Sequence, residues 1–407
     1  MDCRSVVCQR ELALSCRGNS ILNEVHIEKW VYGGEGLARL DGRVVFTPFV
    51  LPGETVRVRL GDKIHAELLE VTGVSSERAA PPCPLFTRCG GCHYQHAPYE
   101  FQLARKLEIL REQLTRVGKI AFAGEIPVIS GPPLGYRNRA QFHIVDGRIG
   151  YLAGRSHELV PLEGECPTIS PRLNRELAAM RERLSDPRFP RFARAIEIFT
   201  NETDVQINVT ESDKPVARRF YDWCESQVAL DYATGVGNFR VSPKSFFQVN
   251  RFLIDPLVEA AIGGQAGQTA VDLYAGAGLI ALPLAKAFRN VTAVEAGSAA
   301  AHDLAFNAQR AEATIQTEYA RVEDYLARLE KPPDFVLADP PRAGLGKEVV
   351  AQLERLKAPA VTIVSCDPAT LARDVGALTS YKIKALTLVD LFPQTYHLES
   401  VAQLTLS

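Results

Sequence analysis

The chain has 407 residues, 46% of them hydrophobic and 23% charged, with a formal net charge of −2. This describes a folded globular protein of two or three domains and excludes a chain that binds nucleic acid through bulk positive charge; such binding needs a local basic face. The first twenty residues hold no apolar stretch long enough for a signal peptide, and no segment approaches a membrane span, so a cytoplasmic protein without a membrane partner is expected. In that compartment the cysteines are expected as metal ligands, catalytic groups or core residues rather than as disulfides.

Residues 1–23 show no period and are expected to form a disordered leader containing Cys3, Cys8 and Cys16. Residues 24–77 read as a small β-barrel. Val25 and Ile27 alternate with polar residues, Asp41-Gly42 is a two-residue hairpin signal, and Val56, Val58 and Leu60 alternate with Arg57 and Arg59. A barrel of this size serves either as a structural module or as an oligonucleotide-binding one, and its residues alone leave both open. Residues 78–237 read as an α+β domain: a cysteine loop, a helix over 99–117, strands at 140–145, 196–200 and 205–209, and helices around 171–184 and 213–228. The arginines between Arg172 and Arg194 read as a solvated helix face, with RNA phosphate contact as the alternative. From 238 to 407, strands expected at 269–273, 291–295, 334–338, 361–365 and 384–390 alternate with helices, the pattern of a doubly wound α/β domain.

Chemistry-bearing residues gather at the carboxyl ends of those strands, where such sheets bind ligands. Asp272-Leu273-Tyr274-Ala275-Gly276-Ala277-Gly278 is a glycine turn from strand to helix, and Glu295 closes the next strand, placed to accept ribose hydroxyls. Asp339-Pro340-Pro341-Arg342 follows another strand. Cys366 ends the apolar run Val361-Thr362-Ile363-Val364 and precedes Asp367-Pro368-Ala369-Thr370, a turn into a helix. Separately, Cys83, Cys89 and Cys92 form C-x5-C-x2-C, with Cys166 the best fourth ligand and Cys224 expected in the core. Four thiolates suit zinc or an iron–sulfur cluster equally well, and the spacing leaves both open.

Taken together, the motifs resemble those of the RNA uracil-carbon-5 methyltransferases. They are Phe246-Phe247-Gln248-Val249-Asn250, the Asp272–Gly276 turn, Asp339-Pro340-Pro341-Arg342-Ala343-Gly344, Ser365-Cys366-Asp367-Pro368 with its continuation to Asp374, and His397-Leu398-Glu399. The resemblance covers nearly everything after residue 24. It implies a Rossmann-like catalytic domain dependent on S-adenosylmethionine, with Gln248, Tyr274, Gly276, Glu295 and Asp339 at the cofactor or the uracil. Cys366 becomes the nucleophile, Glu399 the base and Asp339 a further catalytic group. The barrel then looks like a TRAM domain that binds RNA. The cysteine loop, ending in Gln95, resembles the family's 4Fe-4S site, with Cys83, Cys89, Cys92 and Cys166 as ligands.

Members with both barrel and cluster imply 23S rRNA as substrate. The T-loop uridine of tRNA is the runner-up, and a non-catalytic RNA-binding iron–sulfur protein is the alternative from another class. A monomer is favoured. Ala275, Leu279 and Arg321 depart from residues often found in the family and receive no ligand role. Carbon 5 of uracil is a poor nucleophile, and a thiolate added at carbon 6 makes it an enolate. The thiol is therefore expected to have a lowered pKa, with help from the helix opening near Thr370.

Overall fold

The computed structural model describes residues 22–61, 64–154 and 156–407. The expected leader, with Cys3, Cys8 and Cys16, lies outside the described residues except for Leu22 and Asn23, which open the first strand. The described residues divide into two compact units, one of residues 22–80 with 96–98, the other of 81–95 with 99–407.

The first unit is a five-stranded antiparallel barrel of β1 (Leu22–Val31), β2 (Glu35–Leu40), β3 (Arg43–Pro48), β4 (Thr55–Leu60) and β5 (Ala66–Gly73), ordered β3-β2-β1-β4-β5. Asp41 and Gly42 take φ values of 50° and 77°, the left-handed pair that a two-residue hairpin needs. A bridge between Phe46 and His65 brings the two edges together. The alternation in β4 has its predicted meaning. Val56 and Val58 are buried in the barrel core, while Arg57 and Arg59 face Glu70 and Glu67 across the ladder at 2.7 and 2.8 Å. Buried Glu54 accepts from Arg78 Nε at 2.6 Å and from the backbone N–H of Leu51 at 2.7 Å.

The second unit starts with the cysteine loop and α1 (Tyr99–Arg116), followed by β6 (Val128–Ile129). An antiparallel sheet ordered β11-β10-β7-β8-β9 follows, made of β7 (Arg139–Val145), β8 (Arg148–Leu152), β9 (Leu159–Pro161), β10 (Ala193–Thr200) and β11 (Val205–Ser212). Packed with it are α2 (Pro171–Arg183), capped by the Ser170 hydroxyl, and α3 (Arg218–Trp223), much shorter than the helix expected over 213–228. Leu173, Leu177 and Met180 of α2 and Cys224 are buried in the core of this layer. The arginine run is largely committed within the unit. Arg172 and Arg183 pair with Glu176, Arg181 donates to the carbonyls of Leu162 and Gly164, and Arg194 pairs with Asp213.

A hairpin of β12 (Leu230–Ala233) and β13 (Asn238–Val241) spans the boundary drawn at 237/238. The α/β part continues with α4 (Ile254–Ile262), β14 (Gly267–Leu273), α5 (Ala281–Ala287), β15 (Phe288–Glu295), α6 (Ser298–Arg310), β16 (Ile315–Tyr319), α7 (Val322–Arg328), β17 (Phe335–Ala338), α8 (Gly346–Leu356), β18 (Ala360–Ser365), α9 (Pro368–Ala377), β19 (Tyr381–Val389) and β20 (Glu399–Leu406). Its sheet is ordered β16-β15-β14-β17-β18-β20-β19-β6. β14 to β18 run parallel, and β20 is inserted antiparallel between β18 and β19. The β17 and β18 side chains are nearly all buried, as helices on both faces of a parallel sheet require. Among the described residues no helix is long and apolar enough to cross a membrane.

Candidate active site

Strand order reverses beside β14, which has β15 on one side and β17 on the other. A doubly wound sheet opens its ligand crevice outside the carboxyl ends of the strands at that point. The turn after β14 makes the crevice. Tyr274 takes φ 62° although it is not glycine, and Gly276 and Gly278 take 56° and 91°. A Cβ on Gly278 would lie 2.8 Å from Leu304 Cδ1, so this position needs glycine on both counts. The cleft is lined by Phe246, Gln248, Asp272, Tyr274, Gly276 and Asp339 among others. Four of the expected cofactor residues are thus brought together. The fifth, Glu295, stands behind the turn, its carboxylate accepting from the N–H groups of Gly276 at 2.9 Å and Gly297 at 2.5 Å. It is not among the lining residues.

Two cleft residues were not singled out from the sequence. Asp272 is only 1% exposed, and its Oδ2 has no hydrogen-bond partner. Burial, then the charges of Asp339 and Glu295, push its carboxyl well above the usual range. Such an atom fits a ligand that brings its own donor or positive charge, as the amino and sulfonium groups of S-adenosylmethionine do. Phe246 is 61% exposed on the rim, an apolar face open to a planar ring. The signal for Asp272 was an acid among the apolar residues Ala270, Val271 and Leu273, and for Phe246 a second phenylalanine beside a buried one.

The expected catalytic residues share the same sheet edge. The β18–β20 ladder ends on the Ser365–Ser400 pair, which leaves Cys366 and Glu399 at the same end of the two strands, close enough for the Glu399 charge to act on the thiol. Asp339 follows β17, the other neighbour of β18. Adjacent strands lie about 4.8 Å apart, so the three side chains leave one short arc of sheet. Glu399 is buried and Asp339 is half-buried. Burial pushes Asp339 up to about 7. Burial and the neighbouring Asp339 charge raise Glu399 well above an ordinary carboxyl, with Arg342 opposing. Like charges placed close together in a poorly solvated site raise one another, so the two carboxyls titrate as a pair above the ordinary carboxyl range.

The expectation of an acidic Cys366 thiol is overturned. Burial, then the charge of Glu399, push it up to about 11, and Arg342 only partly opposes them. The helix terminus gives no help because Asp367 already caps it. Its carboxylate accepts from the N–H groups of Ala369 and Thr370, both at 2.9 Å, so an anion already occupies the positive end of α9.

The four expected cluster cysteines, Cys83, Cys89, Cys92 and Cys166, line a second, small cavity. Among the described residues no three His, Cys, Asp or Glu side chains are grouped so as to hold a single metal ion. Arg137 and Tyr151 also line the cavity, with the guanidinium Nε and the phenolic oxygen buried and unpartnered. Burial pushes the Cys89 and Cys92 thiols up to about 11 and about 12. Four thiols around one cavity, with a buried guanidinium N–H that has no acceptor, are the donor set an anionic thiolate-bound group would use.

This sheet order, with its one antiparallel insertion and its cleft at the glycine turn, defines an S-adenosylmethionine-dependent methyltransferase. The model of tRNA (uracil-5-)-methyltransferases matches residues 313–406, and the TRAM domain model matches residues 23–62. An RNA methyltransferase of Aquifex aeolicus is 33% identical over 93% of this chain and 97% of its own. The 23S rRNA (uracil(1939)-C(5))-methyltransferase RlmD of Halomonas elongata is 32% identical over 94% of this chain and 89% of its own. The crystal structure of the Pyrococcus abyssi tRNA (uracil-54, C5)-methyltransferase with S-adenosyl-L-homocysteine superposes with a TM-score of 0.72. It is 25% identical and covers 94% of this chain and 100% of its own. The chain belongs to the RNA (uracil-5-)-methyltransferase family.

Proposed function

We propose that the protein methylates carbon 5 of a uridine in 23S rRNA through a covalent bond from Cys366 to carbon 6. We further propose that Cys83, Cys89, Cys92 and Cys166 hold a 4Fe-4S cluster of structural role. The observation that supports the mechanism is that Cys366 and Glu399 follow the last pair of the β18–β20 ladder, with Asp339 at the end of neighbouring β17 and lining the cofactor cleft.

S-adenosylmethionine supplies the methyl group, and Gln248, Tyr274, Gly276 and Asp272 hold it in the cleft; Glu295 shapes the turn. The target uridine is unstacked to reach the sheet edge. The Cys366 proton leaves to solvent, sulfur bonds to carbon 6, and the carbon 5–carbon 6 π electrons move onto the carbonyl as an enolate. Asp339, whose carboxyl is raised to about 7, donates a hydrogen bond to that oxygen in its protonated form. Once carbon 5 carries the methyl group, Glu399 in its carboxylate form takes its proton, the carbon 6–sulfur bond breaks, and that proton passes from the carboxyl to Cys366. One proton is released per methyl group transferred.

The relatives named for 23S rRNA are about 32% identical, against 25% for the neighbour named for tRNA, which supports the ribosomal substrate. The test is incubation with labelled S-adenosylmethionine and, separately, unmodified 23S rRNA and unmodified tRNA. Label should enter 23S rRNA as 5-methyluridine. Label confined to tRNA would move the substrate assignment, and label in neither would remove it.

A further inference from the structure

Immediately after Cys92 the cysteine loop is bonded to the segment that leads into Glu399. The N–H groups of His93 and Tyr94 both donate to the carbonyl of Gln394, at 2.8 and 3.0 Å. Gln394 is buried and takes φ 66°, a left-handed conformation that a non-glycine residue keeps only where its surroundings impose it. Gln102 of α1 supplies that constraint. Its Nε2 donates to Gln394 Oε1 at 3.0 Å and to the Tyr94 carbonyl at 3.1 Å, and its Oε1 accepts from the Gln394 N–H at 3.1 Å.

The same segment is pinned on both sides of Gln394. Buried Lys106 reaches Asp390 Oδ1 at 2.6 Å, and Tyr99 donates to Asp390 Oδ2 at 2.8 Å. Beyond Gln394, the His93 ring meets Tyr396 with centroids 4.6 Å apart, and Tyr396 meets His397 at 4.2 Å. Burying an ion pair and an amide pair here costs more than apolar packing would, and what it returns is a fixed register.

We propose that Gln394 is a positioning residue that couples the filling of the four-cysteine cavity to the placement of the Glu399 carboxylate. This rests on the reading above of Cys366 as nucleophile, Glu399 as base and the four cysteines as cluster ligands. A group bound by the thiolates fixes Cys92 and therefore the two amides that follow it. Those amides fix Gln394, and five residues later Glu399 opens β20 at the same ladder end as Cys366. Coupling of this kind is reciprocal, so loosening Gln394 also loosens the cavity's hold on its metal.

The test uses iron-loaded full-length protein carrying Gln102→Ala or Gln394→Ala, with Glu399→Gln as reference. Attack by Cys366 does not need the base, whereas release does. Ordinary uridine RNA should therefore accumulate as a denaturation-resistant adduct in Glu399→Gln and, in part, in both glutamine variants. Their turnover should fall on the order of tenfold or more. Iron loss to a chelator, followed by absorbance without RNA, should speed up roughly fivefold or more. Affinity for S-adenosylhomocysteine should stay at the wild-type value. If Gln394→Ala does not fold, Gln394→Gly keeps the left-handed backbone and carries the same expectations. Wild-type adduct levels or wild-type iron loss in the glutamine variants, with adduct accumulating in Glu399→Gln, overturn the coupling alone. No adduct in Glu399→Gln overturns the base assignment and the coupling with it.

Discussion

Cys366 in the ligand-free enzyme should be a slow nucleophile, contrary to what a catalytic thiol suggests. Burial and the Glu399 charge carry the thiol from 9.0 to about 11. At pH 7.5 the thiolate is then about 3 parts in 10,000, against about 3 in 100 for an unperturbed thiol, roughly a hundredfold less. The perturbation is pH itself, and the assay is iodoacetamide alkylation of ligand-free protein, with the Cys366 peptide quantified by mass spectrometry. The rate should climb about tenfold per pH unit and show no plateau below about pH 10. Glu399→Gln removes the second cause of the shift and should speed alkylation in alkaline buffer. Arg342→Ala removes the opposing charge and should slow it. A plateau at or below about pH 8 would refute the reasoning, because it would mean that the terminus of α9 still stabilises the thiolate despite the Asp367 cap.

Three further outcomes follow from the same structure. Lys106→Met strands the Asp390 charge in the interior and should cost about 3–5 kcal/mol in denaturant melts, most of it recovered in Lys106→Met with Asp390→Asn. The Asp339 carboxyl is raised on folding, so its contribution to stability is full below its ordinary pKa of 3.8 and is lost as pH rises through about 7. Asp339→Asn should therefore gain stability relative to wild type as pH rises through that window, by at most about 4 kcal/mol, while losing methyl transfer. Cys166→Ser should lower bound iron in anaerobically purified protein, whereas Cys224→Ser, in the core of the antiparallel layer, should leave iron content unchanged.

Much of the architecture is legible in the chain because apolar runs and glycine turns are local. The runs that became β14, β15, β17, β18 and β19 sit where the pattern placed them. β16 was missed because Ile315–Tyr319 is an edge strand with little buried surface. β20 was missed because nothing local announces a strand inserted antiparallel between two earlier ones, and with it went the pairing that brings Glu399 to the same ladder end as Cys366. The sign of the Cys366 shift depended on whether the acid before α9 caps it, a matter of side-chain geometry. The Gln102–Gln394 pair joins positions 292 residues apart, and no period or spacing reports such a contact. Asp272 belongs to the glycine-turn motif, yet its unpartnered oxygen follows from the burial of the strand, which the motif does not encode.

The central claim is that Cys366 bonds to carbon 6 of a uridine in 23S rRNA. The most direct measurement is to incubate the enzyme and S-adenosylmethionine with 23S rRNA carrying 5-fluorouridine, digest the trapped complex, and sequence the peptide bound to RNA. The fluorine cannot be removed as a proton, so the adduct should persist through denaturation, with Cys366 as the attached residue. An adduct on another residue, or an adduct of wild-type yield from Cys366→Ala, would contradict the account.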